Sequence, residues 1–240
     1  RSFGPDMESA FSRRAEAEAV VSAARSGGEH ERAAQARVDA AEAELAAAAD
    51  ALVRVRKEAA PELCAAISAQ MARLEMGTAE VELAFDDLPR AQWTSVGPSR
   101  VELLYRPAAG MAVRPLKRIA SGGEISRVML AAKVVLGAAD AVDTLVFDEV
   151  DAGVGGATAV ALAAVLADLA RTHQVLVVTH LAQVAARADR HYVVEKTGGD
   201  LPETVIGEVA GDARVREIAR MLSGDATEAS LAHAREMLGA

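Results

Sequence analysis

The chain has 240 residues, enough for one large domain or two small ones, with 51% hydrophobic residues but only 3% aromatics, so any core is alanine-rich and fine-grained. Its formal net charge of −9, from 26 basic and 35 acidic residues, excludes a uniform basic coat for nucleic acid and leaves room only for local basic patches. A single cysteine, Cys64, excludes an intrachain disulfide, no apolar run reaches membrane-spanning length, and the start of the chain lacks the pattern of a secretory signal.

The chain opens on Arg1, as a piece of something longer would. Residues 5–25 are rich in Ala, Glu and Arg and read as a helix. Ser26-Gly27-Gly28 reads as a break. A second helix is expected over 29–60, with Val38, Ala41, Leu45, Ala48, Leu52, Val55 and Ala59 spaced alternately by three and four, the seam of a coiled coil. About thirty helical residues reach roughly 45 Å and call for a partner helix. The other reading is an amphipathic helix lying on a globular core. Pro61 either starts a new helix or kinks a long one. Leu63, Ile67, Met71 and Leu74 continue an apolar face to Gly77, and Cys64 reads as a small hydrophobe there.

From Thr78 the period becomes two. Val81, Leu83 and Phe85 suggest a strand, residues 86–100 a loop holding Trp93, residues 101–105 a second strand, and residues 107–115 another loop. The chain thus divides into a helical arm, residues 1–77, and a mixed α/β body, residues 78–240. In the body, Ser121 can cap a helix with Glu124 three residues on, and Gly122 and Gly123 offer bare amides suited to phosphate. By itself this is an ordinary cap. Ile125, Val128, Met129, Ala132 and Val135 form the expected apolar face of the helix that follows.

Thr144-Leu145-Val146-Phe147 reads as a short buried strand that ends in Asp148 and Glu149, with Asp151 and a glycine-rich turn after it. Adjacent acids at the carboxyl end of a strand are costly unless a cation offsets them; Mg²⁺ held with nucleotide phosphates is the usual solution. A helix over 157–171 and a second apolar strand over 174–179 make a βαβ unit with a parallel pair. If the strands are neighbours, His180 shares one sheet edge with Asp148 and Glu149. Two strands around Gly198-Gly199-Asp200, then helices over 215–222 and 228–238, complete the chain.

These strings carry a resemblance. Ser121-Gly122-Gly123 resembles the signature motif of ABC-type ATPases, residues 145–149 their Walker B strand, Asp151 the D-loop acid and His180 the switch histidine. KRIASGGEISRVMLA, FDEVDAGVGG and VVTHLAQVAARAD together resemble the RecN family of bacterial SMC-like DNA-repair ATPases. No G-x-x-x-x-G-K-[ST] loop occurs in these residues. The likeness is to the returning coiled-coil arm and the C-terminal lobe of an ABC/SMC-type P-loop NTPase head.

The resemblance implies ATP and Mg²⁺ as cofactors. It implies Asp148 on the Mg²⁺ side, through water, Glu149 as the residue that orients or deprotonates water, and His180 at the γ-phosphate. Ser121, Gly122, Gly123, Glu124 and Asp151 are implied at the nucleotide, Ser121 and Gly123 facing that of a second head. The implied partners are an N-terminal P-loop lobe of the same protein, a second copy of the head, double-strand-break ends of DNA and the recombinase RecA, in the cytoplasm at the nucleoid and without a membrane. DNA contact is expected at Arg54, Arg56, Lys57, Arg114, Lys117 and Arg118. The chain alone is expected to lack ATPase activity. The competing readings are another chromosome-organising SMC-like ATPase and a structural coiled-coil module without turnover.

Overall fold

The computed structural model describes residues 7–119, 121–139, 142–198 and 203–239. Its first element is a helix of 67 residues, α1 (Met7–Arg73). The break expected at Ser26-Gly27-Gly28 does not occur, and α1 also runs through Pro61. Two glycines cost only about 1 kcal/mol each against alanine, and the flanking Ala, Glu and Arg residues offset that. The Ser26 hydroxyl turns back onto the Ala23 carbonyl at 3.0 Å rather than ending the helix.

The chain forms two compact units. One consists of α1 up to Glu58 with Asp87–Ser99. Within it the Arg56 guanidinium donates to the Val96 carbonyl at 2.7 Å, and the Trp93 indole N–H donates to the Leu88 carbonyl at 2.9 Å. The Arg90 guanidinium lies 4.9 Å above the Trp93 ring, so this aromatic packs within its own loop.

The other unit holds Ala59–Asp86 and the chain from Arg100 onward. Strands β1 (Glu80–Asp87), β2 (Ser99–Arg106) and the two-residue β3 (Arg114–Pro115) form one sheet in that order. Helix α2 (Gly122–Leu136) follows, then β4 (Thr144–Phe147), α3 (Gly156–Leu169) and β5 (Gln174–Val177). β4 and β5 pair in parallel with Leu145 beside Val175 and Phe147 beside Val177, which is the expected βαβ unit. Helix α4 (Ala182–Arg187), the antiparallel hairpin of β6 (His191–Lys196) and β7 (Thr204–Val209), α5 (Gly211–Ser223) and α6 (Glu228–Leu238) complete it. The Gly199-Asp200 part of the expected turn lies outside the described residues.

The main core gathers Ile67, Met71, Leu74, Val128, Leu130, Phe147, Leu162 and Val165. Cys64 is half-buried against it, and burial pushes its thiol pKa up, as befits a packing residue. A smaller core joins Ala182, Val215, Ile218 and Ala234. Two expectations of burial change. On α2, Val128 and Ala132 are buried as expected, but Leu130 and Ala131 join them and Met129 is exposed, so the buried face is wider and shifted. β4 and β5 are also not buried on both faces: Leu145 and Phe147 enter the core, while Val146, Leu176 and Val178 are exposed. A continuous apolar run records that no polar side chain is present, but not how many faces are covered.

Candidate nucleotide site at the exits of β4 and β5

Helix α2 begins as its sequence dictates. Ser121 is the N-cap, in extended conformation, and its Oγ accepts from the Glu124 backbone N–H at 3.4 Å. β4 delivers Asp148 and Glu149 to the same place. Both are exposed, and Asp148 Oδ1 accepts from the Glu149 N–H at 2.9 Å. Glu149 is left-handed, at φ 57°, an uncommon backbone for a residue with a Cβ and one that clusters at functional sites. Its carboxylate lies on the start of α2: a Cβ built on Gly122 would sit 2.5 Å from Glu149 Oε2.

The next residue of α2 meets the backbone that follows β4. A Cβ on Gly123 would stand 2.9 Å from the Ala152 carbonyl oxygen and 3.0 Å from its Cβ. Two further α2 side chains fasten the same turn. The Ser126 hydroxyl donates to the Asp148 carbonyl at 3.1 Å, and Arg127 Nη1 donates to the carbonyls of Ala152 at 3.0 Å and Val150 at 3.5 Å. Bonds to charged donors are the stronger kind, so Arg127 is the main tie between the two segments. Behind them, burial first and then the charge of Glu124 push the Tyr105 phenol pKa up, while Arg127 opposes this.

Asp151 is buried, unlike the two acids before it. Its Oδ2 accepts from the Thr179 hydroxyl at 2.5 Å and the His180 backbone N–H at 2.9 Å, and His180 Nδ1 lies 3.1 Å away. The imidazole remains 69% exposed at the end of β5. The expected sharing of one edge by the acid pair and His180 is therefore realised, with Asp151 as the link. Lys117, one of the basic residues expected at DNA, pairs with Glu102 at 2.6 Å.

Among the described residues no group of three or more His, Cys, Asp or Glu is gathered as a metal cage. Sequence reasoning did not single out Ser126, Arg127 or Thr179. The available signals were two polar residues interrupting the apolar pattern of α2 and a hydroxyl directly before His180.

Acids and a histidine at the exits of a parallel strand pair, against a helix capped by Ser121, sit on the fold of an ABC/SMC-type head lobe. The backbone agrees: the Smc head domain with coiled coil and joint from Pyrococcus yayanosii matches with a TM-score of 0.50 and 20% identity, over 67% of this chain and 29% of that one. No family model matches the sequence. The DNA repair protein RecN of Streptomyces coelicolor is 47% identical over 212 residues, 83% of this chain, and that of Deinococcus radiodurans 50% identical over 208 residues, 85% of this chain. Across these residues the chain is a RecN homologue. It spans 37% and 36% of the length of these two curated relatives, and the match falls on their C-terminal part.

Proposed function

We propose that this chain is the C-terminal lobe, residues 78–240, and the returning coiled-coil arm, residues 1–77, of a RecN-like ATPase acting in double-strand-break repair. One observation carries the reading. Motif positions 121–124, 148–149, 151 and 180, remote in sequence, are tied together around the exits of β4 and β5 in a chain that is 47% identical to a RecN protein.

In this reading Asp148 faces the metal. An exposed hard-oxygen carboxylate fits Mg²⁺, which takes one or two carboxylates and draws its other ligands from phosphate and water. Bound there, Mg²⁺ would offset charge on the β- and γ-phosphates. Glu149 orients or deprotonates the attacking water once its side chain swings off Gly122. His180 contacts the γ-phosphate. Ser121 and Gly123 are offered to the nucleotide of a second head, with Gly122 and Glu124 beside them.

The lobe that supplies the phosphate-cradling loop would cover the open face of β4 and β5, where Val146, Leu176 and Val178 present apolar surface. DNA ends and RecA are the further partners of this reading, in the cytoplasm. Arg56 is already engaged with the Val96 carbonyl and Lys117 with Glu102, so local DNA contact falls to the exposed Arg54, Lys57, Arg114 and Arg118. Among the described residues no helix is long and apolar enough to cross a membrane.

The test is Glu149→Gln in the intact protein. ATP binding is expected to persist while hydrolysis slows by about 10²-fold, the scale of acid–base assistance, and ATP-bound dimers accumulate. Unchanged single-turnover hydrolysis would remove Glu149 from the mechanism, and no hydrolysis by the wild-type protein would return the structural-module reading.

A further inference from the structure

The buried carboxylate of Asp151 has more to do than close a turn. Oδ2 collects two donors from the end of β5, the Thr179 hydroxyl and the His180 backbone N–H, and stands 3.1 Å from His180 Nδ1. The Thr179 hydroxyl is itself directed. Its oxygen accepts from the Leu181 N–H at 3.0 Å, so its proton points to Asp151. The carboxylate is thereby fixed before the ring meets it. A carboxylate only accepts, so this approach at 3.1 Å favours the ring form with the proton on Nδ1. With Nδ1 beside the carboxylate, Nε2 is the nitrogen left for a further partner on a side chain that is 69% exposed. With neutral imidazole Nε2 accepts from water; with imidazolium it donates to a phosphate oxygen. At metal centres, carboxylates bonded to the far nitrogen of a ligating histidine fix its tautomer and orientation in the same way.

We infer that Asp151 is a positioning residue for His180. Together with Thr179 it selects the Nδ1–H form of the ring and aims Nε2 at the reacting phosphate. This assignment differs from a nucleotide contact by Asp151 itself, which its burial opposes. It also makes the link between the segment after β4 and the segment after β5 part of the chemistry. The inference rests on the proposed reading of His180 at the γ-phosphate, and the experiment separates the two.

In the intact protein, steady-state ATP hydrolysis is compared for Asp151→Asn, His180→Ala and the double variant, alongside thermal unfolding. Asp151→Asn is expected to lower kcat about tenfold or more with KM nearly unchanged, and to add no further loss on top of His180→Ala. Thr179→Val is expected to produce a smaller loss that Thr179→Ser restores, which gives a second route should Asp151→Asn fold poorly.

A ring-nitrogen NMR spectrum of [15N]histidine-labelled protein supplies a readout independent of ATP, the His180 signal being assigned by its loss in His180→Ala. Wild type should show a protonated Nδ1 and Asp151→Asn a mixture of ring forms. Effects of Asp151→Asn and His180→Ala that multiply, or a ring form unaltered by Asp151→Asn, would overturn the inference. If His180→Ala leaves hydrolysis intact, the role of His180 at the phosphate fails, while the ring spectrum still decides whether Asp151 sets its tautomer.

Discussion

Leu45 and Leu162 are both leucines in alanine-rich helices, yet Leu45 is 41% exposed and Leu162 fully buried. The same contrast holds between their surroundings. In the stretch of α1 before Glu58, Val20, Val38 and Val55 are also exposed, and order there comes from helix propensity and local pairs such as Arg14 with Glu18 at 2.8 Å. Around Leu162, burial of Val128, Leu130, Val165 and Leu169 supplies the stability, and the helix is held by what it touches. Exposed apolar residues at seam spacing, such as Val38, Leu45 and Val55, fit the proposed coiled-coil arm, whereas the second unit already buries most of its apolar face.

The largest effect expected from testing this contrast is at Leu162. Leu162→Ala should cost about 2–5 kcal/mol in the lobe, the range for a cavity in a packed core, while Leu45→Ala should stay within about 0.5 kcal/mol in the isolated chain. Denaturant unfolding followed by circular dichroism measures both. A large loss at Leu45 would mean that the arm finds cover within a single chain.

An intermediate effect is expected from Gly27→Ala with Gly28→Ala. Nothing lies within 4 Å of a Cβ at either position, so each change should stabilise the helix by roughly 0.5–1 kcal/mol. Slower proteolysis across the pair is the readout, and unchanged cleavage would place the weak point elsewhere.

The smallest effect is pH dependence in the lobe. Burial lowers the His191 pKa below its ordinary value, Glu217 opposing and Arg214 assisting. The folded state thus binds the proton less readily than the unfolded chain. The associated stability is present above pH of about 6.5 and is lost as pH falls through the lowered folded value. His191→Asn should flatten the acid limb of a stability-versus-pH curve; a curve of unaltered slope would show that another group sets it.

What was legible in the sequence was local. Ser121 with Glu124 three residues on, β4 ending in two acids, β5 ending in His180 and the final helix over 228–238 all follow from patterns spanning a few residues. The expected stop at Gly27-Gly28 failed because a local penalty competes with the summed propensity of its neighbours. Pro61 likewise stays within the helix, a few residues before Ile67 and Met71 enter the core. The roles of Ser126, Arg127 and Thr179 could not be read because they depend on the approach of segments about 22 to 28 residues apart. The exposure of Val146 and Leu176 was hidden for a related reason: hydrophobicity reports affinity for cover, whichever chain segment provides it.

The two neighbouring glycines at the start of α2 should behave differently in a saturation mutagenesis screen. At Gly123 the obstacle to any side chain is the Ala152 backbone, which cannot move without dragging the turn after β4 with it. Every substitution there should be depleted, including in a selection that asks only for soluble protein. At Gly122 the obstacle is the free end of Glu149, a flexible carboxylate. Alanine at 122 should survive a selection for folding and reveal any defect only under DNA damage. Adjacent codons thus provide a genetic separation of fold from activity, and Glu149→Gln combined with alanine at 122 would show whether the defect at 122 is transmitted through that carboxylate.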